Sequence, residues 1–138
     1  IKKLMPSKGV LTKRQPTIGE LEDMEFGYKM AKEIGQLDIG QTVVVKHKAV
    51  MAVEAIEGTD ECIKRGGALG RGDAVVVKVA KPNQDLRFDV PTVGVKTINS
   101  MIVANSKALA IEADNTLLVE KSKVLELAKK NNITIVAL

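Results

Sequence analysis

Between Lys78 and Asp89 the chain packs two lysines, an arginine and two aspartates into twelve residues. Lys78, Lys81 and Arg87 supply positive charge, and Asp85 and Asp89, four apart, supply hard oxygen donors. A phosphotransfer or pyrophosphate-cleaving site needs oxygen ligands for Mg²⁺ and cations for the negative charge that develops as a phosphoryl bond breaks. The same charges could instead pair with one another on a solvated loop, where ion pairs stabilise by only ~0–1 kcal/mol. From the residues alone these two readings stand about level. Pro82 and Pro91 bracket the segment, fixing φ and restricting the residue before each. It therefore reads as an ordered loop behind the apolar run 74–77, at the carboxyl end of a strand, where α/β proteins place their chemistry.

A second acidic group, Glu54, Glu57 and Asp60, lies where an apolar strand should end and a helix begin. Thr59 and Asp60 at a helix amino terminus also fit simple capping and dipole complementation, and for Asp60 alone that is the simpler reading. Glu57, beside Gly58 on the turn, divides more evenly between the two. The glycine run 66–72 follows a helix and precedes a strand, without Lys-Ser/Thr, which is the wrong order for a nucleoside-triphosphate P-loop. It is expected to be a helix cap and turn. His47 is the only histidine and falls in a hairpin turn, so a zinc site is not expected. Cys62 has no histidine partner in sequence and reads as a small buried side chain rather than a nucleophile.

The elements that must position these residues alternate. Thr17-Ile18-Gly19-Glu20 has capping-box spacing after Pro16 and opens a helix that Gly35 ends. Runs 42–46 and 49–55 form a hairpin around His47-Lys48, and a short helix over 60–65 has Thr59 as its cap. A strand spans 74–80, a helix 95–105, and a second hairpin, 109–113 with 116–120, turns at Asp114-Asn115. Ser122 caps a last amphipathic helix, and 133–136 is a buried strand. The pattern predicts an α/β fold: a single compact domain, with a mixed β-sheet and two hairpins flanked by helices.

Composition bounds the function. The 138 residues suit one domain with one good core, and 45% hydrophobic with 28% charged residues is ordinary for a globular protein. A net charge of +4 is compatible with an anionic ligand or membrane surface and diagnostic of neither. Aromatics are only 2%, too few for base-stacking platforms, so no nucleic-acid partner is expected. One cysteine rules out an intrachain disulfide and fits a reducing, cytoplasmic compartment. No apolar run approaches the ~18 residues needed to span a bilayer. The chain starts with Ile1 and a basic stretch with Lys2, Lys3, Lys8, Lys13 and Arg14. Residues 1–15 are expected to be a lead-in from a missing amino-terminal domain, with 16–138 as the working domain. The basic run also offers a contact to an anionic inner-membrane surface.

Four segments carry a family resemblance, in order and at similar spacing: Gly9-Val10-Leu11-Thr12, Leu37-Asp38-Ile39-Gly40-Gln41, residues 52–60 and residues 77–91. On these the chain resembles the carboxyl-terminal domain of the LpxI-type UDP-2,3-diacylglucosamine pyrophosphatases of lipid A biosynthesis, over essentially its whole length. The resemblance implies a glycolipid-nucleotide substrate, hydrolysed to UMP and 2,3-diacylglucosamine 1-phosphate with Mg²⁺ or Mn²⁺, and an additional amino-terminal domain. Carried onto this chain, it implies Asp85 and Asp89 as catalytic residues. Asp85, Asp89 and Asp60 would be the metal ligands, and Lys78, Lys81, Arg87, Glu54, Glu57 and Thr59 would contact the substrate. Two other classes stay open: a non-catalytic nucleotide-sugar or phospholipid-binding module, and an assembly domain forming a homodimer through its hairpins.

Overall fold

Strand alternation decides which face of the sheet each side chain meets, and here it separates two apolar cores. The structure is a computed structural model that describes residues 5–82 and 90–138. The elements run β1 (Gly9–Val10), α1 (Ile18–Gln36), β2 (Thr42–Lys46), β3 (Ala49–Val53), α2 (Thr59–Gly70) and β4 (Val75–Lys78). Then come β5 (Thr92–Val93), α3 (Val95–Ala104), β6 (Ala108–Ile111), β7 (Leu117–Leu118), α4 (Lys121–Lys130) and β8 (Thr134–Ala137). Six strands form one sheet in the order β1-β8-β6-β4-β2-β3, and β5 pairs with β7 in a small second sheet. The strands β4, β6 and β8 are parallel, β2 runs antiparallel to both β4 and β3, and β1 is antiparallel to β8. Val43, Val45, Val75, Val77 and Ala110 face Met24 and Ala31 of α1. Val44, Val76, Leu109, Ile111 and Ile135 face the other way, against Ile63, Ile98, Met101 and Val124 of α2, α3 and α4. This is the expected α/β fold with a mixed sheet, helices on both faces.

Local chemistry explains the ends. Thr17 and Glu20 close the anticipated capping box on α1, each accepting the other's backbone N–H at 3.0 Å. The β2–β3 turn has two residues, His47 (φ 52°) and Lys48 (φ 58°), both left-handed without being glycine. Buried Asp23 of α1 holds that unfavourable turn, its carboxylate accepting from His47 N at 3.1 Å and Lys48 N at 2.8 Å.

Several expectations are corrected. The glycines at 66–70 are helical, because α2 needs them to approach its neighbours. A Cβ on Gly66 would lie 2.5 Å from Val44, and one on Gly67 would lie 2.4 Å from Ala104. Gly58, not Thr59, is the cap of α2, and Glu120, not Ser122, precedes α4. The second hairpin does not form. Both edges of β6 are already occupied by parallel β4 and β8, so β7 pairs instead with β5. The lead-in is partly sheet: β1 joins β8, and Leu11 N donates to Ile135 O at 2.9 Å.

Asp23→Ala should cost about 1.5–3 kcal/mol, the usual scale for hydrogen bonds to a charged group. Replacing His47-Lys48 by Asn-Gly, the pair such a turn prefers, should shrink that cost, because the turn then needs no external acceptor. Urea unfolding of the two variants and their combination measures both effects.

Candidate functional site

The carboxyl ends of parallel strands and the amino ends of the helices that follow them gather at one edge of a sheet. Here the edge opens a cleft of about 540 Å³ whose walls include Thr59, Asp60, Lys78, Thr92, Lys96 and Glu120. Lys78 ends β4 in register with Thr42 and Ile111, on the face covered by α2 and α3. Its ammonium donates to Thr92 O at 2.8 Å. Burial pushes its pKa below the usual lysine value, while the nearby carboxylates Glu54 and Asp60 pull the other way. Asp60, in the first turn of α2, accepts from Ser100 Oγ of α3 at 3.0 Å and lies 3.7 Å from Lys96 Nζ. Glu54, just after β3, accepts from Gln41 N at 3.2 Å and from Thr59 Oγ1 at 3.4 Å.

Both helix ends at the cleft are capped by glycine, Gly58 (φ 90°) for α2 and Gly94 for α3, and among the described residues neither first turn is closed by a cap side chain. Open first-turn amides with the positive end of a helix behind them favour an anion. Lys78 and Lys96 bring full positive charge to the same space. The arrangement suits a multiply charged oxyanion.

Of the residues singled out in the sequence, the structure brings Thr59, Asp60 and Lys78 onto the cleft, with Glu54 behind Thr59. Glu57 is elsewhere. It pairs with Arg65, 3.2 Å from Nε, and that hydrogen bond holds its carboxyl below the ordinary range. Lys81 lies 3.1 Å from Asp38 and outside the cleft lining. Asp85, Arg87 and Asp89 lie outside the described residues. Thr92, Lys96 and Glu120 were missed, although Gly94 directly before an apolar helical run marks an open helix end beside them.

Asp60 offers a hard oxygen to a divalent cation in the cleft. Among the described residues, however, no cluster of three or more His, Cys, Asp or Glu could hold a metal ion, so a metal would need oxygens from beyond them. His47 is exposed in its turn, as expected. Cys62 is fully buried and its thiol is pushed up to about 12, chiefly by that burial, so it is no thiolate nucleophile. Among the described residues no helix is long and apolar enough to cross a membrane.

Comparison with known proteins identifies the family. The UDP-2,3-diacylglucosamine pyrophosphatase LpxI of Caulobacter vibrioides is 40% identical over 114 residues, covering 77% of this chain. The chain spans 41% of that relative's length. The family model for the LpxI C-terminal domain matches residues 7–136, nearly the whole chain. With its cleft at the carboxyl edge of a mixed sheet, the chain belongs to the LpxI C-terminal domain family.

Proposed function

We propose that the full-length protein hydrolyses the diphosphate of UDP-2,3-diacylglucosamine in lipid A biosynthesis, and that this domain supplies the diphosphate-binding cleft. The observation that carries the reading is Lys78, a partly desolvated ammonium set between two glycine-capped helix ends. A diphosphate bridging Lys78 and Lys96 would meet both cations and the open amides of α2 and α3. In the reaction, water adds to one phosphorus, the bridging P–O bond breaks, and the bridging oxygen leaves with the other phosphate. The products are UMP and 2,3-diacylglucosamine 1-phosphate. Cations that meet the charge growing on the bridging oxygen lower the barrier more than they strengthen substrate binding.

In this reading Asp85 and Asp89 act on water, Arg87 and Lys81 add positive charge, and Asp60 joins the two aspartates as ligands of Mg²⁺ or Mn²⁺. Such an ion, when bound, neutralises the diphosphate and makes a bound water more acidic. Glu54 orients Thr59 toward the substrate. Glu57 serves the outer wall through its pair with Arg65. An additional amino-terminal domain, of the kind the relative's greater length allows, would complete the cleft, and the glycolipid substrate would bring the protein to the inner-membrane surface.

Mass-spectrometric product analysis with UDP-2,3-diacylglucosamine and Mg²⁺ or Mn²⁺ tests the reading on the full-length protein. UMP and 2,3-diacylglucosamine 1-phosphate should appear from the parent, disappear on chelation with EDTA, and be absent from a folded Asp85→Ala variant. Binding of the substrate without turnover by the folded, metal-supplied parent would replace catalysis with a nucleotide-sugar-binding role.

Lys78 gives a pH signature with two opposed signs. Its folded pKa lies below the ordinary 10.5, so in the window between them the unfolded chain binds more protons. The Lys78 contribution to stability therefore rises with pH across that window. Diphosphate binding needs the ammonium and weakens over the same range. KM should thus climb with pH below 10.5 in the parent and stay flatter in Lys78→Arg, whose guanidinium remains protonated. Superimposable KM profiles would remove Lys78 from the site.

A further inference from the structure

The carboxyl edge of the sheet carries a second polar station, on the α1 face and away from the cleft lining. Glu112, the residue after β6, is 8% exposed. Its Oε1 accepts from Lys32 Nζ of α1 at 2.6 Å and from Ala80 N at 3.1 Å. Its Oε2 accepts from Asn115 Nδ2 at 2.7 Å. Lys32 also donates to Ala80 O at 3.1 Å, so the Glu112–Lys32 pair grips both polar groups of one buried peptide residue. Ala80 is two residues beyond Lys78, where the chain leaves β4.

The same turn holds the chain where it comes back. Thr116 Oγ1 donates to Glu112 O at 2.8 Å, closing the turn, and Leu117 N donates to Pro91 O at 2.9 Å. Residues 112–117 therefore touch both the outgoing arm at Ala80 and the returning arm at Pro91. Lys78 Nζ on Thr92 O ties the two arms together at the cleft itself. The pair is only partly buried, with Glu112 inside and Lys32 reaching solvent, so its charge attraction by itself adds little stability. What this pair does supply is a fixed place for one backbone unit, through charge-assisted hydrogen bonds.

We propose that Glu112 is a positioning residue for the hydrolysis, setting where the β4 arm departs relative to the β5 arm and so the place of Lys78 and Thr92 at the cleft. It rests on the diphosphate-hydrolase reading above, and it assigns Glu112 no contact with substrate. Misplacement of reacting groups by about 1 Å costs up to ~100-fold in rate. A positioning defect should accordingly appear in kcat and leave KM nearly alone.

The test uses the full-length protein with Glu112→Ala and Glu112→Gln. Two readouts are taken: steady-state kinetics on UDP-2,3-diacylglucosamine, and hydrogen exchange by mass spectrometry over peptides spanning Ala80 and Leu117. Glu112→Ala should lower kcat about 10–100-fold with KM within about twofold, and speed exchange at Ala80. Glu112→Gln keeps an acceptor of the same size for Ala80 N and should recover most of kcat. If Glu112→Ala does not fold, Lys32→Met, which frees Ala80 O, takes its place with the same expectations. Parent-like kcat in Glu112→Ala, a change in KM alone, or a kcat loss that merely tracks the unfolded fraction would overturn the assignment. An inactive parent would instead overturn the hydrolase reading and this proposal with it, a result separable from an active parent whose Ala80 exchange ignores Glu112.

Discussion

Everything at the candidate site depends on the register of β4. The strand is paired on both sides, antiparallel to β2 and parallel to β6, and Lys78 is locked opposite Thr42 and Ile111. Because strand side chains alternate between faces, a slip of one residue would turn Lys78 toward α1 and put Val77 and Val79 on the cleft side. The buried valines forbid it: Val75 and Val77 belong to the α1 core, and Val76 belongs to the core under α2, α3 and α4. An apolar run with no chemistry of its own thus decides where the desolvated Lys78 points.

The two faces of the sheet divide the work at that edge. On the α2–α3 face, glycine caps α2 and α3, and Lys78 and Lys96 stand beside the carboxylates of Asp60 and Glu120. On the α1 face every polar atom of the Glu112 carboxylate is committed to the protein, through Lys32, Ala80 and Asn115. The first arrangement keeps a cleft between two helix ends, and the second commits its carboxylate to the protein. Close packing supports the first: Gly66 and Gly67 let the carboxyl-terminal half of α2 press onto Val44 and Ala104, and Asp60 in its first turn reaches Ser100 of α3.

Local signals were readable in the chain and long-range ones were not. The Thr17–Glu20 capping box, the hairpin at His47-Lys48, the apolar run of β4 and the last helix all announce themselves within a few residues of sequence. The glycines of α2 misled because helix propensity counts against them, whereas Val44 and Ala104 demand them. β7 looked like the partner of β6 because it is next in sequence, but its partner β5 lies further back along the chain, before α3. Of the site, Lys78, Thr59 and Asp60 could be singled out by type and spacing. Lys96 and Glu120 lie on the cleft because α3 and α4 start there, and the one local sign is Gly94, directly before the apolar run of α3. The grip of Lys32 on Glu112 joins residues 80 apart, a distance at which sequence spacing carries no information.

The scarcity of aromatic residues has an optical consequence. This domain has no tryptophan and a single tyrosine, Tyr28. That ring lies 6.0 Å from Lys32 Nζ, and its hydroxyl is raised above the ordinary value by burial and by the charge of Glu112. Its ultraviolet emission and its ionisation on going alkaline therefore come from one place, beside the carboxylate that grips the end of β4. The domain carries its own single-site fluorescent reporter of that grip, with no label to attach.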